Sequence, residues 1–104
     1  MVKMYGSEMC PDCVACKMNF DQYGISYDYM DINVSLKNLK EFLILRDKET
    51  CFLPLKEIHD IGLPTLVLED GKVLVDWEGF VREQGFEVLE IASKNACSLD
   101  HKGC

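Results

Sequence analysis

The first third of this chain reads as a strand, a helix and a second strand, and this order constrains the fold more than any other feature. Residues 2–5 favour a short strand, and a helical pattern opens at Pro11, whose missing N–H has no helical partner in a first turn. Gly24 is suited to end that helix, and the aromatic-rich residues 25–32 favour a second strand. A unit of this length predicts two parallel strands joined by a helix.

A second helix is predicted next, with Asn33 or Ser35 as its cap and an end near Asp47, and Pro54 is expected to start a short helical segment. A last helix is predicted over residues 80–93, with Gly85 as a weak point inside it. The apolar positions expected in the first helix are Val14, Met18 and Phe20, and those in the last are Phe86, Leu89 and Val88 or Ala92. One side of the second helix is expected to carry Leu36, Leu39, Phe42, Leu43 and Arg46.

A hairpin completes the pattern. An Asp-Gly pair at residues 70–71 is a tight-turn signal between two apolar segments, residues 65–68 and 73–75, which we expect to pair as antiparallel strands. The predicted order is therefore β-α-β-α-β-β-α. This order indicates an α/β fold in which helices cover the faces of a four-stranded mixed sheet.

Composition narrows the classes of function. The 104 residues suit one domain, which we place at residues 1–93, followed by a tail at 94–104 without periodicity. Asp and Glu number 18 against 11 Lys and Arg, a net charge of -7, and this balance argues against nucleic acid or an anionic membrane surface as partner. The sequence shows neither an apolar run of membrane-spanning length nor a secretory signal, so the expected location is the cytoplasm.

The six cysteines are unevenly placed. Cys10, Cys13 and Cys16 form one cluster, Cys51 stands alone, and the remaining two, Cys97 and Cys104, lie in the tail on either side of His101. In a reducing compartment, such clustering indicates redox chemistry or metal binding rather than structural disulfides.

The segment Cys10-Pro11-Asp12-Cys13 carries the most chemical information. Two thiols three residues apart at a helix start are close enough to close a small disulfide ring. The first lies beside unpaired backbone N–H groups and the positive end of the helix dipole, which favour its thiolate, the nucleophilic form. Cys10 is therefore the candidate nucleophile, and Cys13, one turn further in, is the candidate resolving thiol. Lys17 is expected to add positive charge nearby, whereas Asp12 opposes ionisation.

Other interpretations of the cysteines remain open at this stage. Cys16 is a candidate second resolving thiol, a third soft metal ligand or a small core residue, and in a competing function Cys10, Cys13 and Cys16 bind a metal or iron–sulfur cluster without turnover. Cys51 is expected to be structural or incidental. The two tail cysteines and His101 are candidates for metal binding or a disulfide relay. Trp77 either lines a substrate groove or covers the sheet edge.

Three segments together resemble the glutaredoxins, a family with the thioredoxin fold, over roughly residues 1–92. They are residues 5–13, the run Ile61-Gly62-Leu63-Pro64-Thr65 before a strand, and the Asp70-Gly71 hairpin. The resemblance implies a cis Leu63–Pro64 bond that faces the disulfide, with the Leu63 backbone offered to a thiol substrate. It places Pro11, Asp12, Leu63, Pro64 and Thr65 at the substrate site.

The same resemblance has departures at the positions that bind glutathione. Ser7 stands where the family has a lysine for a glutathione carboxylate, and Asp12 stands where it has Tyr or Phe. Asp76-Trp77-Glu78-Gly79-Phe80 replaces a Gly-Gly turn. The resemblance therefore implies a thiol–disulfide oxidoreductase that reduces protein or small-molecule disulfides without a tightly bound cofactor. Glutathione or a reductase of the thioredoxin-reductase type is the expected electron donor.

Overall fold

In the computed structural model, which describes residues 1–90, a four-stranded mixed sheet has the order β2-β1-β3-β4. The strands are β1 (Val2–Gly6), β2 (Tyr27–Asp31), β3 (Thr65–Val67) and β4 (Val73–Leu74). β1 pairs with β2 in parallel and with β3 antiparallel, and β3 pairs antiparallel with β4. The predicted α/β architecture, with its leading β-α-β unit and closing hairpin, is confirmed.

Within residues 1–90, four helices accompany the sheet: α1 (Pro11–Gln22), α2 (Leu36–Lys48), α3 (Leu53–Glu57) and α4 (Trp77–Glu83). A 3₁₀ turn, Thr50–Phe52, precedes α3, and the short helical segment predicted at Pro54 is α3. Ser35 rather than Asn33 caps α2, since its side chain accepts from the Asn38 N–H at 3.2 Å. None of the helices within residues 1–90 has the length and apolarity to cross a bilayer.

The core consists of two clusters, one on each face of the sheet. On the first face, helices α1 and α4 cover the sheet around Met4, Cys16, Phe20, Leu66 and Val81. On the second face, a smaller cluster is built from Tyr5, Phe42 and Phe52. Met4 and Tyr5 are adjacent in β1 and point to opposite faces, as the alternation of a strand requires. β1 therefore lies at the centre of the fold and connects directly to the loop before α1.

The buried faces of α1 and α2 differ from the predicted ones. In α1, Phe20 is buried as expected, but Val14 is exposed, and the other buried positions are Cys13, Ala15, Cys16 and Asn19. In α2, Phe42 is buried, whereas Leu36 is 74% and Leu43 43% exposed. The reason is that α1 buries small and polar residues, which a search for large apolar side chains passes over, and that only the Phe42 side of α2 faces the second cluster.

The final helix begins and ends earlier than predicted. Asp76 caps it by accepting from the Gly79 N–H at 3.0 Å, so α4 starts at Trp77 rather than at residue 80. Gly85, with a φ of +91°, follows its end, so this glycine ends the helix instead of weakening its interior. The predicted apolar residues Phe86 and Val88 nevertheless pack on the first cluster from the segment after α4. Residues 91–93, the predicted tail and Cys97, His101 and Cys104 lie outside the described residues.

Candidate active site

The loop between β1 and α1 is organised by Ser7, which is buried. Its carbonyl accepts from the Cys10 N–H at 3.1 Å, and its hydroxyl accepts from the Met9 N–H at 3.1 Å. The same hydroxyl donates to Asn33 Oδ1. These bonds close the loop into a turn that delivers Cys10 to the start of α1, where Pro11 occupies the first helical position.

Cys10 is the N-cap residue of α1. Its sulfur accepts a hydrogen bond from the Cys13 backbone N–H at 3.3 Å and lies 3.8 Å from the Leu63 carbonyl oxygen. Hydrogen bonding from the Cys13 side chain and this backbone N–H lowers the pKa of Cys10 to about 7, although partial burial and the Asp12 charge oppose the shift. Cys10 keeps part of its surface exposed, so this ionisable sulfur is accessible to a reactant.

Cys13 has the opposite character. Its side chain is 0% exposed, and its sulfur accepts from the Ser7 backbone N–H at 3.5 Å. Its hydrogen bond with Cys10 and its burial raise the pKa of the Cys13 thiol. Both cysteines are free thiols. The pair therefore combines an accessible, easily ionised sulfur with a shielded, protonated one.

The loop before β3 lies beside Cys10. The Leu63–Pro64 peptide bond is cis, as the resemblance implied. Thr65 donates from its hydroxyl to the Gly62 carbonyl at 2.6 Å, and Arg46 donates to the Ile61 carbonyl at 3.0 Å. A Cβ at Gly62 would lie 2.7 Å from the Phe52 ring, so only glycine fits there. The loop is thus fixed from both sides with the Leu63 carbonyl directed at the thiol.

The predicted substrate-site residues differ in accessibility. Pro11, Asp12 and Leu63 retain exposed surface near the Cys10 sulfur, whereas the side chains of Pro64 and Thr65 are fully buried. Trp77 is 5% exposed and packs in the first core cluster. This corrects the expectation that Trp77 lines a substrate groove, because the early start of α4 turns its ring inwards.

The two accessory candidates are also placed away from the reactive sulfur. Lys17 binds the Glu8 carboxylate at 2.7 Å and lies over the Tyr29 ring, 4.1 Å from its centroid. The expected positive charge near the thiols is therefore directed at Glu8 instead, and this corrects the predicted role of Lys17. Cys16 is completely buried in the first core cluster, where burial raises the pKa of its thiol.

Cys51 and the metal-binding alternative are the remaining expectations about the cysteines. Cys51 packs on the second core cluster, with its sulfur 4.0 Å from the Val73 carbonyl oxygen. Over residues 1–90, no group of three or more His, Cys, Asp or Glu side chains is arranged to hold a metal ion. Cys10 and Cys13 meet at the start of α1, while Cys16 faces the core, so the three thiols do not converge.

Three residues stand where the sequence departs from the glutathione-binding positions of the family, and the structure gives the surroundings of each. Ser7, at the family's lysine position, is 5% exposed and is committed to the loop hydrogen bonds. Asp12 is exposed at the start of α1. Asp76 caps α4 instead of forming part of a Gly-Gly turn. An anionic ligand would meet carboxylates at two of these three positions.

Sequence reasoning missed two groups near the thiols, whereas the Leu63 backbone beside Cys10 was expected from the resemblance. The first is the Ser7 backbone N–H, which bonds to the Cys13 sulfur at 3.5 Å. The second is the Tyr29 hydroxyl, which flanks Gly6 together with the Cys13 sulfur. A backbone N–H is not revealed by residue identity, and Tyr29 shares its strand with a second tyrosine, so the sequence gives no signal that separates the two tyrosines.

Comparison with known proteins gives independent evidence about the family of this chain. A glutaredoxin family model matches residues 2–50, which include β1, α1 and both site cysteines. A protein of Haemophilus influenzae described only as an uncharacterized protein is 37% identical over 73 residues, which cover 70% of this chain and 85% of that protein. No solved structure matches this chain. The family match, the thioredoxin-like sheet and the dithiol beside a cis-proline loop establish that the chain belongs to the glutaredoxin family.

Proposed function

We propose that this protein is a thiol–disulfide oxidoreductase that reduces disulfides through Cys10 and Cys13. The Cys10 thiolate attacks one sulfur of a substrate disulfide, the substrate S–S bond breaks, and the other substrate sulfur leaves as a thiol after taking up a proton. Cys13 then loses its proton and attacks the Cys10 sulfur of the mixed disulfide. A Cys10–Cys13 disulfide forms, the second substrate thiol is released, and two electrons have passed to the substrate.

The observation that carries this proposal is the unequal ionisation of two adjacent thiols. The backbone N–H of Cys13 and the Cys13 side chain lower the pKa of Cys10 to about 7, whereas the Cys13 thiol is buried and its pKa is raised. A thiol with a pKa of about 7 is about half ionised at neutral pH, while its thiolate remains a good nucleophile. The shielded partner is protected from premature reaction until the mixed disulfide brings a target sulfur to it.

Substrate positioning is assigned to the surface around the Cys10 sulfur. Pro11, Asp12 and Leu63 would contact the substrate, and Pro64 and Thr65 would hold the loop. The proposed substrates are disulfides of proteins or small molecules. The proposed setting is the cytoplasm, where thiols are kept reduced.

The test replaces single cysteines in the full chain and measures reduction of a disulfide substrate with a chemical reductant present. Cys10→Ser is expected to abolish turnover, and Cys13→Ser to trap the substrate as a mixed disulfide visible by mass spectrometry. Cys51→Ser, remote from the site, is the matched control and is expected to retain activity. Full activity in Cys10→Ser would refute the assignment of the nucleophile.

The electron donor is tested in a second experiment. Wild-type protein is supplied with glutathione and glutathione reductase in one reaction and with a reductase of the thioredoxin-reductase type in another. Because carboxylates occupy positions where the family binds the glutathione anion, we propose that the protein reductase is at least as effective a donor. Turnover with glutathione alone would contradict this.

A further inference from the structure

The Tyr29 hydroxyl is a buried polar group without a hydrogen-bond partner among residues 1–90. It lies on β2, on the face that α1 covers, and its ring packs against the first core cluster. The Glu8 carboxylate interacts with this hydroxyl strongly enough to raise its pKa, but no hydrogen bond of normal geometry joins the two, and Glu8 accepts from Lys17 at 2.7 Å. A buried hydroxyl without a partner is costly, so its retention calls for an explanation.

The thiol of Cys13, the proposed resolving residue, offers an explanation for the retained hydroxyl. A Cβ at Gly6 would lie 3.0 Å from the Cys13 sulfur and 3.1 Å from the Tyr29 hydroxyl oxygen, so both atoms flank the same point at the end of β1. The Cys13 charge also acts on the ionisation of Tyr29. Because residue 6 is glycine, it places no side chain between the Cys13 sulfur and the Tyr29 hydroxyl.

The chemistry of the proposed function requires charge to develop at this place. Cys13 is fully buried, and it has one backbone donor, the Ser7 N–H, at 3.5 Å. Its attack on the mixed disulfide proceeds through a thiolate, which burial disfavours unless donors surround it. A second donor would lower the free energy of that thiolate.

We propose that the Tyr29 hydroxyl donates a hydrogen bond to the Cys13 sulfur as that sulfur ionises and thereby accelerates the resolving step. This inference rests on the proposed function. In the step, the proton of Cys13 leaves to solvent or to the departing thiolate, the Cys10–substrate S–S bond breaks, and the Cys10–Cys13 bond forms. Tyr29 neither gains nor loses a proton overall; it stabilises the charge.

Its surroundings keep Tyr29 in the donor form. Burial and the nearby Glu8 carboxylate both raise the pKa of the hydroxyl, so it stays protonated through the neutral range. The Lys17 ammonium over the ring, 4.1 Å from the centroid, is paired with Glu8 and fixes the ring by a cation–π contact. The charged and titratable groups that act on the hydroxyl are therefore Glu8, Lys17, Asp31 and the Cys13 thiol.

The test separates the two steps with a chromogenic aromatic disulfide whose released thiolate absorbs visible light. In the full chain with Cys51, Cys97 and Cys104 replaced by Ser, stopped-flow mixing resolves a bimolecular phase for Cys10 and a unimolecular phase for Cys13. Tyr29→Phe is expected to slow the second phase about tenfold, as for a lost hydrogen bond to a charged group, and to leave the first unchanged. The pH midpoint of the second phase should also move upwards.

Tyr27→Phe is the matched control, because Tyr27 lies on the same strand but bonds at 2.9 Å to Asp21, away from the thiols. It should leave both phases unchanged. Since Phe at position 29 removes only an unpaired oxygen, the thermal midpoint of unfolding should not fall. A second phase within twofold of the Tyr27→Phe rate would overturn the role of Tyr29. Absence of either phase in the parent protein would instead overturn the proposed function.

Discussion

Two identical side chains in the same turn of α1 have opposite acid–base properties. Cys10 caps the helix and accepts from a backbone N–H, whereas Cys13 is enclosed by Ser7, Gly6 and the core. The hydrogen bond between the thiols couples them, since it favours the thiolate on Cys10 and the thiol on Cys13. The proposed division of roles between nucleophile and resolving thiol therefore follows from position along a single helical turn.

The pKa of Cys10 is predicted to fall when the carboxylate beside it is removed. In Asp12→Asn the opposing negative charge disappears while the backbone N–H at position 12, which favours the thiolate, is kept. Because Asp12 is exposed, the effect is modest, and alkylation of Cys10 by iodoacetamide at pH 6 should accelerate about twofold. The measurement is the rate of Cys10 modification against pH.

The control for this experiment is Asp47→Asn, an equally exposed carboxylate on α2. It should leave the profile of Cys10 unchanged. A slower alkylation in Asp12→Asn than in the parent protein would mean that Asp12 assists the thiolate, contrary to the electrostatic argument.

Among the elements, α1 is the one that joins the site to the rest of the fold. Its buried Asn19 accepts from the Leu89 N–H at 2.7 Å and donates to the Leu89 carbonyl at 3.2 Å. The Asn19 amide also donates to the Ala15 carbonyl at 2.9 Å. Tyr23 stacks on Phe86 with ring centroids 4.2 Å apart. The segment after α4 is thus fastened to the helix that carries both reactive thiols.

Replacing Asn19 is predicted to loosen this attachment. Asn19→Ala removes three buried or half-buried hydrogen bonds and should lower the free energy of unfolding by about 2 kcal/mol. Urea denaturation measures the loss, and hydrogen exchange at the Leu89 amide should accelerate. Gln22→Ala, at the exposed end of the same helix, is the control and should change stability little. An unchanged Leu89 exchange rate would contradict the attachment.

Some features of these elements can be predicted from the sequence and others cannot. The Asp-Gly turn and the start of α1 depend on neighbouring residues, and the structure has them where the sequence predicts them. The buried stripe of α1 contains cysteine, alanine and asparagine, so its hydrophobic pattern gave no signal. The start of α4 depends on whether Asp76 caps it, and the sequence offered no way to choose this over a start near Phe80.

For the whole molecule, the low pKa of Cys10 links redox chemistry to stability. A thiol with an ordinary pKa of 9.0 in the unfolded chain and about 7 in the fold stabilises the native state most above pH 9. This contribution is lost as the pH falls through about 7. Cys13 and Cys16 act in the opposite sense, but only as the pH approaches the ordinary cysteine value.

The reduced protein is therefore predicted to gain stability between pH 6.5 and pH 8.5 relative to Cys10→Ser. The difference in the gain should be about 1–2 kcal/mol. Urea denaturation of both proteins at the two pH values, under a thiol-free reductant, measures it. An equal pH dependence in the two proteins would show that Cys10 ionises alike in the folded and unfolded states.

The sequence by itself determined the order of strands and helices and pointed to Cys10 as the candidate nucleophile. Both depend on interactions within a few residues: the turn at Asp70-Gly71, the proline at the start of α1, and a helix N-terminus whose N–H groups reach the sulfur at its cap. Local rules of this kind are readable from neighbouring residues, so the Cys10–Cys13 pair can be identified from the sequence alone.

Only the tertiary structure decided what surrounds those sulfurs. The Leu63 carbonyl reaches Cys10 from 53 residues away, and the Tyr29 hydroxyl flanks Gly6 together with the Cys13 sulfur because β2 pairs with β1. Trp77 and Lys17 are turned away from the thiols by the early cap of α4 and by the pairing with Glu8. Such contacts depend on which strands pair and in which register, and no local pattern in the chain specifies them.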